Sequence, residues 1–562
     1  MPSGISDLDS VYVTRRTSAL KLKAASRFQI SPEKCHIGHL VLQAMTDNPA
    51  GINQIDSATE QSETHRSVLS RSCRLASAMQ NFGLRVGDTV VVMGPNHLDV
   101  AIPYYASHFN GTTLCTVDGS IVASDLAHLF TTISPKIIFC LKSQEEKIQE
   151  GLKESGKEAV IVKFDDNKSN METFIRDNSG TENNFRPAEF DQQETAAWLL
   201  LTSGTTGRPK CAIITYAVVA HAVEAWWYQF TTGVYNTLII GTIQWMSAML
   251  FYISCPIMRS ARIQSSTPMT PQWLVAIINK YRPNATVWTP HLLSKFLHAT
   301  AAVCDLSSFR YIIIGGSSID KPLLDQFKQR CDAYLYLVYG MTELMIPVFD
   351  YDMRVPFGSS GRPIPGKLQY RLATEDGSDA KVGESGELLL KGDYFFKGYL
   401  NNKEETDKVL TEDGWVKTGD MFYRDEQDYY YYVERKRLLI KHTGLWISPV
   451  QLEEVIKQHP AVGDACVVGL PDQLDVEIPV AAVVKRNGAN VEPEEIFALM
   501  RRELPPLKQL HGGLFFMDVL PTTPSGKIQR AQVREIAFLA NRILPSKDVP
   551  PAQNTLTNGT AR

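Results

Sequence analysis

Apolar positions along the chain switch repeatedly between helical and strand-like spacing from His36 onward. Val68, Leu75, Ala76, Met79 and Phe82 recur at intervals that place them on one helix face, and Gly83 is placed to stop that helix. The β-branched run over 89–93 predicts a buried strand. A helix over 99–110 ends at Gly111, and a strand follows over 113–117. Ser124 is placed to cap a helix through 130, and 136–140 makes the next strand. Strands that alternate with helices predict βαβ units and a mainly parallel sheet.

The polar stretch 165–195 interrupts this pattern and reads as a surface excursion. The alternation then resumes with a strand over 309–314 ending in Gly315-Gly316, a helix over 321–330 and a strand over 334–339. From 357 to 432 the texture becomes Gly-rich and aromatic, with short alternating segments that predict antiparallel β-structure. Residues 437–544 read as a separate small α+β domain, with strands over 465–468 and 480–484 and helices over 449–458 and 493–504. The Pro-, Asn- and Thr-rich tail after 545 is expected to be disordered. The fold class is therefore α/β.

Bulk properties narrow the picture. A chain of 562 residues is long enough for roughly three or four core units. Apolar residues make up 44% and charged residues 21%, as in a folded soluble protein. The net charge of -4 gives no reason to expect nucleic acid as partner. Nine cysteines without a C-x-x-C pair or zinc spacing read as reduced, buried thiols. The first residues carry no signal-type apolar core, no run is long enough to span a membrane, and the chain ends Thr560-Ala561-Arg562 rather than in a peroxisomal tripeptide. A cytoplasmic location is the expectation.

Candidate chemistry is concentrated in a few segments. Thr202, Ser203, Gly204, Thr205, Thr206 and Gly207 lead through Arg208-Pro209 to Lys210, between two strand-like runs. Its glycines allow tight turns with exposed N–H groups, its hydroxyls add donors and Lys210 adds charge, which together make a phosphate cradle. It is not a Walker A loop, because a strand follows rather than a helix. Taken alone, S-G-T-T-G is equally an ordinary hairpin turn. Tyr339, Gly340, Met341, Thr342 and Glu343 offer an aromatic ring for a purine, a hydroxyl for a phosphate and a carboxylate for Mg²⁺. Asp420, in Thr418-Gly419-Asp420, could meet ribose hydroxyls; alone that tripeptide is a turn. Arg435 could equally be a solvated surface charge, and Lys527 an exposed loop lysine.

The order and spacing of these pieces resemble the adenylate-forming family of acyl-CoA synthetases, 4-coumarate–CoA ligases, beetle luciferases and peptide-synthetase adenylation domains. Lys397-Gly398-Tyr399-Leu400, Gly386-Glu387-Leu388 and 440–444 match as well, and the resemblance covers roughly residues 36–540. The run 507–513 before Lys527 looks most like the luciferase-like acyl-CoA synthetases of insects.

The resemblance implies a large N-terminal domain of two αβ sheets plus a β-barrel, and a small mobile C-terminal domain. The corresponding boundaries are an N-terminal extension over 1–35, the large domain over 36–434, a hinge over 435–438, the small domain over 439–545 and a tail over 546–562. It also implies ATP, Mg²⁺ and CoA as cofactors and a small-molecule carboxylic acid as substrate. The 202–210 loop would take the β- and γ-phosphates. Gly315 and Gly316 would admit the adenine, with Tyr339 stacking on it. Thr342 would contact the α-phosphate, Glu343 the Mg²⁺, and Asp420 and Arg435 the ribose. Lys527 would serve adenylation, while Lys441 and Gly444 would face the thioester step after the small domain rotates.

Several positions depart from the family pattern. Cys211 replaces the usual Gly, Val338 stands where many relatives have Gly and Leu337 where they often have Gln, and Arg437 occupies the hinge position. Trp245 stands where luciferases and coumarate ligases place a His, which argues against luciferin oxidation. The Asp that amino-acid-activating domains use is missing there, and no carrier domain follows. An acyl pocket drawn from Trp245, Met246, Met341, Met345 and Ile346 would suit a fatty or aryl acid, although such a set could equally be core. The leading expectation is an AMP-forming acid–CoA ligase. Transfer to another acceptor, a luciferase-like monooxygenase and a nucleotide-binding pseudoenzyme are the alternatives.

Overall fold

The computed structural model describes residues 7–119, 121–166, 170–202, 210–227, 235–299, 304–319, 321–350, 355–364, 366, 368–442, 445–472, 477–522 and 528–545. These fall into two compact units, one within 1–369 and 390–416, the other within 370–389 and 417–562. The second unit thus takes in 370–389 and 417–434, ahead of the expected hinge.

The first unit contains two αβ sheets. One is six-stranded, in the order Val160–Lys163, Ile137–Cys140, Thr89–Met93, Thr113–Val117, Ala196–Thr202 and Lys210–Thr215. Its pairs are parallel except the last, which is antiparallel. The other is seven-stranded and runs Tyr334–Val338, Tyr311–Gly315, Ala285–Trp288, Asn236–Leu238, Ala261–Gln264, Ile52–Asp56 and Ser62–Thr64, with only the last pair antiparallel. Side-chain alternation feeds a separate core from each sheet face. Val90 and Val92 enter the large central cluster while Val91 and Met93 enter another. Ile313 likewise joins the central cluster while Ile312 and Ile314 join a third.

Most of the predicted elements form, with differences that have physical reasons. The helix His65–Asn81 is capped by Thr64, whose hydroxyl accepts the Ser67 N–H at 3.3 Å, and the chain turns at Gly83 with φ 101°. Phe82 lies past its last turn and is half exposed, so it is not part of the buried stripe. Ser124 is not a cap: the helix Ala123–Ile133 begins one residue earlier, with Val122 at its N-cap and no side-chain cap bond.

The stretch 165–195 is more than a surface excursion. It contains the helix Met171–Asp177, and Met171, Ile175 and Phe185 reach the central core. Residues 1–35 contain the helix Asp7–Phe28, which buries Leu20, Ala24, Ala25 and Phe28 in the same core. All nine cysteines are free and eight are buried. Among the described residues, no helix is long and apolar enough to cross a membrane.

In the second unit and the strands leading into it, Gln369–Ala373, Gly386–Lys391, Val416–Arg424 and Tyr430–Arg435 hydrogen-bond in the sequence order 1-2-3-4, and the last two are antiparallel. This is the β-structure expected over 357–432. Farther on, Val462–Pro471 and Glu477–Lys485 pair antiparallel, and Leu514–Phe516 joins parallel to the second. One face of this small sheet packs Ala465, Val467, Ala481 and Val483 among the helices Pro449–Ile456 and Pro493–Glu503. The other packs Cys466, Val468, Val480 and Ala482 against the helix Arg530–Leu539. The two faces therefore carry two apolar layers, as the period-2 pattern requires.

Candidate functional site

Two strand ends frame the phosphate-cradle motif. Thr202 ends one strand and Lys210 begins the next, and the two are direct antiparallel partners. Ser203, Gly204, Thr205, Thr206 and Gly207 lie outside the described residues, between them. The strand Lys210–Thr215 is clamped on its free edge by the segment 397–400. Lys397 N–H donates to Ile213 O, Ile213 N–H to Gly398 O and Leu400 N–H to Cys211 O, each at 2.9 Å. Gly398 has φ 117°, and a Cβ there would come within 2.7 Å of Thr406 Cγ2, so this tight approach requires glycine. Cys211 is buried, and burial pushes its thiol up to about 12.

Lys210 is consequently held at a defined place. Its Nζ donates to Glu405 Oε2 at 2.9 Å and lies 4.3 Å from the centre of the Tyr399 ring. Glu405 also accepts from Lys408 Nζ at 2.6 Å. Hydrogen bonds from Lys408, then Lys210, hold the Glu405 carboxyl below its ordinary value. It is an anion at neutral pH, matched to the lysine.

The strand Tyr334–Val338 delivers Tyr339 and the residues after it. Met341 O accepts from both Leu344 N–H, at 3.1 Å, and Met345 N–H, at 3.2 Å. Met345 adopts φ 63°, an uncommon conformation for a non-glycine residue, and it reverses the chain here. The turn buries Glu343, which is 6% exposed, and its Oε1 accepts a 2.5 Å hydrogen bond from the Tyr399 hydroxyl. Phe396 N–H donates to Glu343 O at 2.9 Å and ties the same two segments together. Thr342 and Met341 remain half-buried beside Glu343, and the Tyr339 ring lies 5.9 Å from that of Phe349. Gly340 is exposed.

The two glycines after strand Tyr311–Gly315 differ in role. A Cβ on Gly315 would fall 2.7 Å from Val338 Cγ2, so the valine fills the space that the small residue leaves. Gly316 has φ 94°, and among the described residues a Cβ built there would have only Thr289 Cγ2 within 4 Å, at 3.8 Å, which leaves room beside this backbone.

Of the acyl-pocket residues, Met345 and Ile346 are buried in the central core and Met246 packs against it. Trp245 is 43% exposed, at the N-cap of the helix Met246–Met258.

In the second unit, Asp420 and Arg435 are cross-strand partners, and Arg435 Nε lies 2.8 Å from Asp420 Oδ1. Asp420 is 2% exposed, and its N–H donates to the Thr418 hydroxyl at 3.1 Å. Glu387 accepts from Gly419 N–H at 3.2 Å and from Lys436 Nζ at 2.8 Å, bracing the turn that carries Asp420. Glu434 is buried and accepts the Arg435 N–H at 2.8 Å; burial raises its carboxyl above the ordinary range. Lys441 lies on the strand Ile440–His442, half-buried, with its N–H donating to Glu477 Oε2 at 3.3 Å. Gly444 and Lys527 lie outside the described residues.

Sequence reasoning gave Tyr399 and Glu387 no role beyond matching a family motif, and it missed Glu405 altogether. The signal for Glu405 was its place in an acidic helix start, five positions after the Lys397-Gly398-Tyr399-Leu400 motif. Among the described residues no three His, Cys, Asp or Glu side chains gather as a metal cage. A single buried carboxylate is what Mg²⁺ uses when substrate phosphates supply its other ligands, and Glu343 fits that role.

Comparison with known proteins gives the same assignment. Residues 42–400 match the family model described as AMP-binding enzyme, and 451–527 match the AMP-binding enzyme C-terminal domain. The chain is 28% identical to a luciferin 4-monooxygenase of Photuris pensylvanica over 85% of its own length and 90% of that protein. It is 27% identical to a probable 4-coumarate–CoA ligase 3 of Dictyostelium discoideum, over 90% and 96% respectively. The fold superposes on ATP-bound MatB from Rhodopseudomonas palustris with TM-score 0.79 at 21% identity, covering 89% of this chain and 99% of that one. The chain thus belongs to the AMP-binding enzyme family, the adenylate-forming group of acyl- and aryl-CoA ligases and their luciferase relatives.

Proposed function

We propose that the chain joins a fatty or aryl carboxylic acid to CoA in two steps. The acid attacks the α-phosphorus of ATP to give an acyl-adenylate and pyrophosphate, and the CoA thiol then displaces AMP. The observation that carries this reading is the meeting of Lys210 and Glu343 at Tyr399 in a family member. A phosphate-seeking cation and a metal-seeking carboxylate are both held in place before ligands arrive.

The charges answer a specific need. A carboxylate approaching a polyphosphate meets a repulsion of about 4 kcal/mol per unit-charge pair at about 4 Å and an effective dielectric near 20. Lys210 and Lys527 offset it from the protein side, and Thr342 supplies a hydroxyl to the phosphate. Mg²⁺, held by Glu343, would neutralise charge on the departing pyrophosphate. Tyr339 and the open backbone at Gly316 support the adenine end of this reading, and the Asp420–Arg435 pair the ribose.

The test is a panel of carboxylic acids assayed for AMP and pyrophosphate with and without CoA. Mg²⁺-dependent AMP and pyrophosphate are expected with some member of the panel, with thioester appearing when CoA is added. ADP and phosphate as the sole products would refute the reading, and turnover indifferent to CoA would redirect it to another acceptor.

Light emission is not expected. Trp245 presents an indole, a donor only, where an imidazole would both give and take a proton. Purified protein with beetle luciferin, ATP and oxygen should give no luminescence above heat-denatured protein. A sustained signal would restore the monooxygenase reading.

A further inference from the structure

We infer that Tyr399 is a positioning residue that sets the metal-binding carboxylate and the phosphate-binding ammonium relative to one another. The inference rests on the proposed roles of Glu343 and Lys210. One side chain contacts both: its hydroxyl donates to Glu343 Oε1 at 2.5 Å, and its ring lies 4.3 Å from Lys210 Nζ. A phenol bonded to a carboxylate is a charge-assisted hydrogen bond, which fixes the carboxylate in one orientation. An ammonium within about 6 Å of a ring centre is attracted by the ring face, and that attraction uses none of its three directional donors. Glu405 engages one of those donors, so Lys210 is held by two contacts and keeps the means to reach a phosphate.

Tyr399 is itself built in. It is 6% exposed, its N–H donates to Thr406 Oγ1 at 2.9 Å, and its backbone bridges to Ala212 on the lysine's own strand. The Phe396 ring packs on it edge-on at 5.1 Å. Such anchoring means that neither charge needs to be ordered when nucleotide binds. The ring also separates two opposite charges: the ion-pair partner of Lys210 among the described residues is Glu405, not Glu343.

The two contacts can be removed one at a time. Tyr399→Phe deletes the hydroxyl and keeps the ring, whereas Tyr399→Leu deletes both. The readouts are Mn²⁺ binding, followed by electron paramagnetic resonance with α,β-methylene-ATP, and the KM for ATP at saturating Mg²⁺. Tyr399→Phe should weaken Mn²⁺ binding about tenfold, the effect of one hydrogen bond to a charged group. The same variant should leave the KM for ATP within about twofold of wild type. Tyr399→Leu should shift both by about tenfold.

A purely structural tyrosine would lower the unfolding temperature without this split. Tyr399→Phe keeps the ring volume, so it carries the test even if the Leu variant is unstable. Mn²⁺ binding unchanged in Tyr399→Phe overturns the inference. Glu343→Gln separates the two levels. If it weakens Mn²⁺ binding and Tyr399→Phe does not, only the role of Tyr399 falls. If Glu343→Gln leaves Mn²⁺ binding unchanged, the metal role of Glu343 falls and the inference with it.

Discussion

Lys527→Ala is expected to slow acyl-adenylate formation by about 10²-fold, a loss of about 3 kcal/mol at the transition state. It is expected to spare conversion of supplied acyl-AMP and CoA to thioester. A charge needed in only one transition state affects only that step when removed. The family resemblance assigns Lys527 to adenylation and Lys441 to the step after the small domain turns. Lys441→Ala should therefore show the opposite bias. Its loss should be smaller, because its strand is already fixed by pairing Lys441 with Trp446 and by the bond from its N–H to Glu477. Rapid-quench measurement of both half-reactions on the two variants checks this. Equal losses in both steps for Lys527→Ala would defeat the division of labour.

Much of the fold was legible because burial on both sheet faces leaves unambiguous runs. The strands Thr89–Met93 and Thr113–Val117 coincide with the apolar segments that predicted them, and Tyr334–Val338 ends one residue short of the predicted 334–339. The misses share a cause, namely that tertiary packing recruited segments whose local pattern was weak. Among its described side chains, the helix Asp7–Phe28 buries small and apolar residues such as Leu20, Ala24 and Ala25 between lysines and arginines, so its sequence carries little amphipathic signal. Arg262 is another case. It is fully buried, bonded by Nη2 to Asn53 Oδ1 and Gln54 Oε1 at 2.9 Å, and lies 3.7 Å from the centre of the Tyr252 ring. Its hydrogen-bond partners are 209 and 208 positions away, and a four-residue strand gives no hint of them.

The candidate site shows the same division. Motif spacing marked Lys210, Glu343, Asp420 and Arg435, because their chemistry is tied to fixed neighbours in sequence. What it could not show is how they are supported. Tyr399 lies 56 positions from Glu343, and Glu405 lies 195 from Lys210. The docking of segment 397–400 on the strand Lys210–Thr215, with the Phe396 N–H bond to Glu343 O, brings them together. Met345 and Ile346 lie in the central core, the alternative that their apolar character had left open beside a pocket.

Arg530→Met is expected to destabilise the small sheet of the second unit by about 3–5 kcal/mol, the cost of leaving a buried carboxylate without its partner. Arg530 Nη2 lies 2.9 Å from Glu453 Oε2, its Nη1 also bonds Glu453, and Nη1 donates to Val467 O at 3.1 Å. Glu453 is 4% exposed and accepts the Val467 N–H at 2.7 Å. The pair thereby joins the helices Pro449–Ile456 and Arg530–Leu539 to the strand Val462–Pro471. Burial opposes the charge on Arg530, but the hydrogen bonds and charge of Glu453 outweigh this and hold the guanidinium above its ordinary value. Arg530→Met with Glu453→Leu removes both charges and should recover most of the loss, to within about 1–2 kcal/mol of wild type. Native-state hydrogen exchange at the Val467 amide, measured on the full chain, reads the stability of this sheet directly. Exchange unchanged in Arg530→Met, or a double variant as weak as the single one, would show that the pair does not hold these elements together.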